Sequence, residues 1–104
     1  MAAVIEVGDD AFEREVLQAA GPVLVAFALE GCPPCRAIAP ALDDLASKLK
    51  VVRVDVAKAP QAAARYKVLG VPTLVVVKGG QEVMRAVGAL PKAVLASQVE
   101  RAIA

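Results

Sequence analysis

The chain has 104 residues, enough for one compact domain over residues 1–104 with its own core. Its 12 Lys and Arg against 11 Asp and Glu leave no excess positive field, which argues against nucleic acid or an anionic membrane surface as partner. With no His at all, imidazole is excluded as base, proton shuttle or metal ligand, and with no Trp and only Phe12, Phe27 and Tyr66 as aromatics the core has to be aliphatic.

Val4 to Val7 reads as a short opening strand. Asp9 or Asp10 then caps an amphipathic helix with Phe12, Val16, Leu17 and Ala20 on one face, ended by Gly21-Pro22. Val23 to Leu29 is a continuous apolar run rich in β-branched residues, the pattern of a strand covered on both faces. The run from Pro22 is also the longest apolar stretch, far too short to span a bilayer, and the acidic N-terminal segment lacks the basic start and apolar stretch of a signal peptide. No membrane association and a cytoplasmic location are therefore expected. After the strand comes Glu30-Gly-Cys-Pro-Pro-Cys-Arg36, and then Ala37, Ile38, Ala41, Leu42, Leu45, Ala46 and Leu49 recur at helical spacing up to Lys50. Pro33 and Pro34 suit the first helical turn, whereas Pro40 lies inside the pattern and predicts a kink.

Val51 to Val56 is the next strand, followed by a short Ala-rich helix from Pro60 to Tyr66. Leu69-Gly-Val-Pro-Thr73 leads into a strand at Leu74 to Val77, Gly79-Gly80 predicts a hairpin turn, and Glu82 to Val87 returns antiparallel. Gly88 closes that strand, and Pro91 opens a final helix to Ile103 that uses Val94, Leu95, Val99 and Ile103. The order βαβαβαββα predicts an α/β fold: a central mixed five-stranded sheet with helices on both faces. Sites in such sheets favour the C-terminal ends of central strands, where Cys32 lies.

Two cysteines within one helical turn allow three chemistries. Zinc normally takes about four ligands, and two thiols without His would need a second subunit or an external ligand. A structural bridge across two residues closes almost no loop and removes little entropy from the unfolded chain. Thiol–disulfide exchange fits the position best: a cysteine at a helix start is favoured as thiolate, so Cys32 attacks, and Cys35, one turn deeper, resolves the mixed disulfide.

Val23-Leu-Val-Ala-Phe-Ala-Leu-Glu-Gly-Cys-Pro-Pro-Cys-Arg36, Val71-Pro72-Thr73 and the Gly88 region together resemble the thioredoxin family, in order and spacing, over essentially the whole chain. The resemblance implies the thioredoxin fold and a cis peptide bond between Val71 and Pro72, beside the cysteines, leaving the Val71 backbone free to pair with a substrate strand. Local sequence alone favours a trans proline opening an edge strand. Gly31, Pro33 and Pro34 would form the active-site loop, and Val71, Pro72, Gly31 and Gly88-Ala89 the docking surface.

The chain also departs from the family pattern. Ala26 stands where relatives carry a buried Asp beneath the second cysteine, so this protein cannot use that carboxylate to accept the Cys35 proton. Arg53 stands where the neighbouring Lys is common, and without a partner its side chain is expected to reach solvent. Glu30 and Asp55 are read as solvated or strand-end charges. Gly31 and Ala28 replace two family Trp residues; the loss at Gly31 trims the docking surface, exposes Cys32 more fully and would weaken recognition by a reductase that reads that surface. Pro33 replaces a Gly, stiffening the loop and removing a backbone donor.

The expectation is a thiol–disulfide oxidoreductase that reduces protein disulfides through Cys32 and Cys35, supplied with electrons by a reductase, with no metal and no cofactor beyond the redox-active disulfide. The alternatives are a thioredoxin-fold interaction or holdase module with weak redox activity and, ranked lower, a dimer bridging a metal or iron–sulfur cluster.

Overall fold

The computed structural model describes residues 3–104. Its elements in chain order are β1 (Ile5–Glu6), α1 (Asp9–Phe12) running into a π-helical turn (Glu13–Leu17), β2 (Val23–Ala28), α2 (Pro33–Ala37), α3 (Ala39–Leu45), β3 (Lys50–Asp55), α4 (Pro60–Arg65), β4 (Thr73–Lys78), β5 (Gln81–Val87) and α5 (Lys92–Ile103). The strands form one sheet in the order β1-β3-β2-β4-β5. β1, β3 and β2 run parallel, and β4 and β5 are antiparallel additions. The result is the mixed five-stranded sheet covered by helices on both faces that the element order predicts.

Strand alternation sorts the apolar residues into two cores. Leu24, Ala26, Val51, Leu74 and Val76 face α3 and α5, meeting Leu42, Leu45, Leu95 and Val99. Val23, Val25, Phe27, Val52, Val54, Val75 and Val77 face the other way, meeting Phe12, Val16, Ala62 and Tyr66. Every residue of β2 is buried, as its unbroken apolar run predicts. Phe12 packs edge-on to Tyr66 with ring centroids 5.8 Å apart, and Phe27 lies at the same distance from Tyr66, so the three aromatics form one cluster.

Several local expectations are corrected. The cap of α1 is Gly8, with no side-chain bond, and Ala20 is exposed beyond the helix. The Asp9 carboxylate instead accepts the backbone N–H of Gln61 at 3.1 Å and of Ala62 at 2.8 Å, so it serves the free first-turn donors of α4. The helix after the cysteines is broken rather than kinked. Pro40 has no N–H to give the Arg36 carbonyl, the chain turns at Ile38, and α3 restarts with Pro40 in its first turn. α3 also stops at Leu45, short of the expected Lys50, which instead opens β3. In α5, Leu95 and Val99 are buried but Val94 is exposed. Among the described residues no helix is long and apolar enough to cross a membrane.

The candidate dithiol site

β2 ends at Ala28, and the chain turns through Leu29 and Gly31 before α2 begins. The Cys32 N–H donates to the Leu29 carbonyl at 3.2 Å, closing this turn. Gly31 takes φ of 81°, while a Cβ there would meet nothing within 4 Å. Backbone conformation, not crowding, therefore favours glycine at this position. Cys32 is the N-cap of α2, and Pro33 and Pro34 occupy the first two helical positions, exposed and with no N–H to leave unpaired.

The two cysteines are disulfide-bonded, with Cα atoms 5.2 Å apart. They differ in access: Cys32 is half-buried, and Cys35 is 5% exposed. The Cys35 N–H donates to Cys32 Sγ at 3.2 Å. A donor aimed at that sulfur stabilises negative charge on it, which is what a leaving or attacking Cys32 thiolate carries. Because α2 has only five residues, this hydrogen bond is a more specific stabiliser than the dipole of so short a helix.

The Val71–Pro72 peptide bond is cis, as the resemblance implies and contrary to the trans reading from local sequence. Pro72 is buried and Val71 half-buried. The Pro72 carbonyl accepts the Gly88 N–H at 2.8 Å. Thr73, buried to 1% exposure, satisfies its hydroxyl by donating to the Gly70 carbonyl at 2.6 Å. Register places these residues with the cysteines: Phe27 of β2 lies opposite Thr73, and Thr73 lies opposite Val87. Val71, Pro72, Gly88 and exposed Ala89 thus gather at the end of the sheet from which β2 delivers Cys32.

The charged residues singled out in the sequence take supporting places. Asp55 Oδ1 accepts the N–H of Ala57 at 2.8 Å and of Lys58 at 3.3 Å, closing the turn that ends β3. Glu30 is exposed. Arg53 lies opposite Ala26 in register, and its side chain lines a surface cleft with Glu6, Asp55 and Lys58, reaching the surface as expected. Ala26 is 1% exposed within the apolar core of its face. Leu69, which in the sequence only leads into the proline, is 99% exposed. The signal for it was a Leu set immediately before Gly70 in a segment with neither helical nor strand periodicity.

The thioredoxin family model matches residues 3–101. Thioredoxin 1 of Nostoc sp. is 43% identical, covering 97% of this chain and 98% of its own length. The thioredoxin of Rhodospirillum rubrum is 42% identical, covering 94% of this chain and 98% of its own. That of Streptomyces clavuligerus is 44% identical over 91% and 92%. Together with the bonded Cys32–Cys35 pair at the start of a helix, these matches establish that the chain belongs to the thioredoxin family and is a thiol–disulfide oxidoreductase.

Proposed function

We propose that the protein works as a reductant of protein disulfides, with Cys32 as the attacking thiol and Cys35 as the resolving one. Family membership implies disulfide-containing protein substrates and a reductase donor in general. The observation that carries the assignment of roles is the difference in access within one bonded pair, an accessible Cys32 that accepts a hydrogen bond from the Cys35 N–H and a buried Cys35 behind it.

In the reduced protein, the Cys32 thiolate attacks one sulfur of the substrate disulfide. A Cys32–substrate bond forms, the substrate S–S bond breaks, and the other substrate sulfur leaves as a thiolate that takes up a proton. Cys35 then loses its proton and attacks Cys32 Sγ, forming the intramolecular disulfide and releasing the second substrate thiol. Two electrons pass to the substrate, whose two thiols take one proton from Cys35 and one from solvent, and a reductase or external dithiol restores the pair. With Ala26 in the core there is no side-chain carboxylate at that position to take the Cys35 proton, which passes to the expelled thiolate or to solvent. Gly31, Pro33 and Pro34 form the loop around Cys32, and Val71, Pro72, Gly88 and Ala89 the surface on which a substrate segment lies. The sulfur pair carries both electrons, so the reaction asks for no metal or organic cofactor. A cytoplasmic location suits a recyclable dithiol, since that compartment keeps thiols reduced.

The test is a redox titration in buffers of graded dithiol-to-disulfide ratio, with free thiols trapped by alkylation and labels counted by mass. A single reversible transition from two labels to none is expected. Cys32→Ser should abolish reduction of protein disulfides, and Cys35→Ser should accumulate a mixed disulfide at Cys32. Failure to form the intramolecular disulfide at any ratio, or activity surviving in Cys32→Ser, overturns the assignment. Substrate binding retained without any turnover in the unmodified protein would favour the holdase reading.

A further inference from the structure

Among the described residues, the large apolar side chains left exposed are Ile5, Leu29, Leu69, Val83, Val87 and Val94. Three of them lie at one end of the sheet. Leu29 is in the turn that carries Cys32, Val87 is opposite Thr73 at the end of β5, and Leu69 precedes Val71-Pro72 by two residues. Leu69 stands apart from the others at 99% exposed, against 63% for Val87 and 39% for Leu29.

A loose loop could display a leucine by accident, but this one is held on both sides. The Val68 N–H donates to the Ala63 carbonyl at 3.0 Å, and the Val68 side chain packs against the core beneath α4. On the other side the Gly70 carbonyl accepts from Thr73 Oγ1. Between these two anchors Leu69 has its direction set by the backbone, and it points into solvent. On the cysteine side Gly31 has no side chain and the space its Cβ would enter is open, so the large apolar side chain there is Leu29, at 39% exposed. The apolar side chain most fully available to a docking segment is therefore Leu69, on the proline side.

We propose that Leu69 is a specificity-determining contact for the exchange reaction, an apolar anchor that selects disulfides flanked by an apolar residue in an extended segment of a protein substrate. This rests on the reading above, in which the substrate lies along Val71-Pro72. The Val71 backbone forms no strand or turn hydrogen bond among the described residues, so it is free to pair with a segment, two residues from exposed Leu69. Contact with an apolar side chain would remove the leucine from water without disturbing any native contact. Position and continuity with the reactive cysteine make a substrate the occupant, ahead of a second copy of this chain.

The experiment compares wild type, Leu69→Ser and, as a control, Val94→Ser on the outer face of α5. Two cystine peptides serve as substrates, identical except that the residue two positions to either side of the cysteine is Leu in one and Ser in the other. A small aromatic disulfide is a third substrate that needs no flanking contact. Wild type and Val94→Ser should prefer the Leu peptide through a lower KM. In Leu69→Ser that KM should rise roughly three- to tenfold, with kcat held, so that the preference collapses. An unchanged Leu-to-Ser ratio overturns the proposal, as does a wild-type protein that is dimeric at assay concentration and becomes monomeric with Leu69→Ser. Wild type inactive on all three disulfides would instead sink the dithiol mechanism itself, which separates the two failures.

Discussion

Cys32 and Cys35 share one disulfide but not one environment, the first half-buried and the second 5% exposed. Cys32, Cys35 and the two prolines between them announce themselves by spacing, because an exchange couple and a helix start are both local patterns. The cis bond at Pro72 was not local, and only the family motif pointed to it. Asp9 shows the opposite limit. The sequence offers Asp9 or Asp10 as the cap of the helix that opens there, but the Asp9 carboxylate reaches Gln61 and Ala62, more than fifty positions away. No pattern within α1 encodes that partner. The pairing satisfies two of the free donors of α4, whose own N-cap, Ala59, offers no side chain to accept them. Asp9→Ala should therefore destabilise the protein by about 1–2 kcal/mol in urea unfolding, the range for a lost cap. Asp10→Ala, one residue on and exposed, should stay within about 0.5 kcal/mol. Equal losses for the two would show that the long-range cap contributes nothing.

Elements were legible in kind and order but not at their ends. Strands and helices follow from alternation and helical spacing, while their limits are set by contacts that periodicity does not carry. Pro40 predicts a kink, but its missing N–H leaves the Arg36 carbonyl without a helical i+4 donor, and the helix divides at Ile38. The first helix widens into a π turn, with the Gln18 N–H reaching the Glu13 carbonyl at 2.9 Å. Lys50, at the start of β3, donates to the Glu15 carbonyl and to its carboxylate, each at 2.8 Å. That tie between distant elements is invisible to any local window. Arg85 plays a similar part in β5, an edge strand of the sheet. It donates to both carboxylate oxygens of Glu82 at 2.9 Å and to the Tyr66 carbonyl at 2.6 Å, joining β5 to the end of α4. Hydrogen bonding from Arg85 holds the Glu82 carboxyl below its ordinary pKa of 4.5. A lowered folded pKa stabilises the native state above pH 4.5, and that contribution is lost as pH falls through the folded value. Since the pair is largely solvated, the pH-dependent part should be only a few tenths of a kcal/mol. Arg85→Ala should cost about 1 kcal/mol near neutrality, including the loss at the Tyr66 carbonyl, and less at pH below the carboxylate range. A cost that does not shrink in acid would mean that the Glu82 pair adds nothing to the native state.

For the molecule as a whole, the sheet is a partition. β2 and β4 give alternate residues to opposite sides, and the resulting cores share backbone but few side-chain neighbours. This division allows the site to tolerate unusual substitutions. Ala26 packs in an apolar layer with α3 and α5, and Arg53, opposite it in register, carries its charge to a surface cleft, so the missing carboxylate leaves no charge stranded in the core, while the aromatic cluster on the other face is untouched. The same partition predicts how damage should combine. Val16 in the π turn is 2% exposed in one core, and Val99 in α5 is fully buried in the other. Truncating either to Ala removes two methyl groups from a packed environment and should cost about 2–3 kcal/mol, combining lost transfer energy with a small cavity. Each substitution disturbs packing only on its own side of the sheet, so the Val16→Ala/Val99→Ala double variant should lose the sum of the single losses within about 0.5 kcal/mol. Urea unfolding of the four proteins, in the oxidised state and followed by circular dichroism, measures the cycle. A coupling above about 1 kcal/mol would show that strain passes through the strands from face to face. In that event the substitutions around the dithiol could not be treated as independent of the core beneath Tyr66.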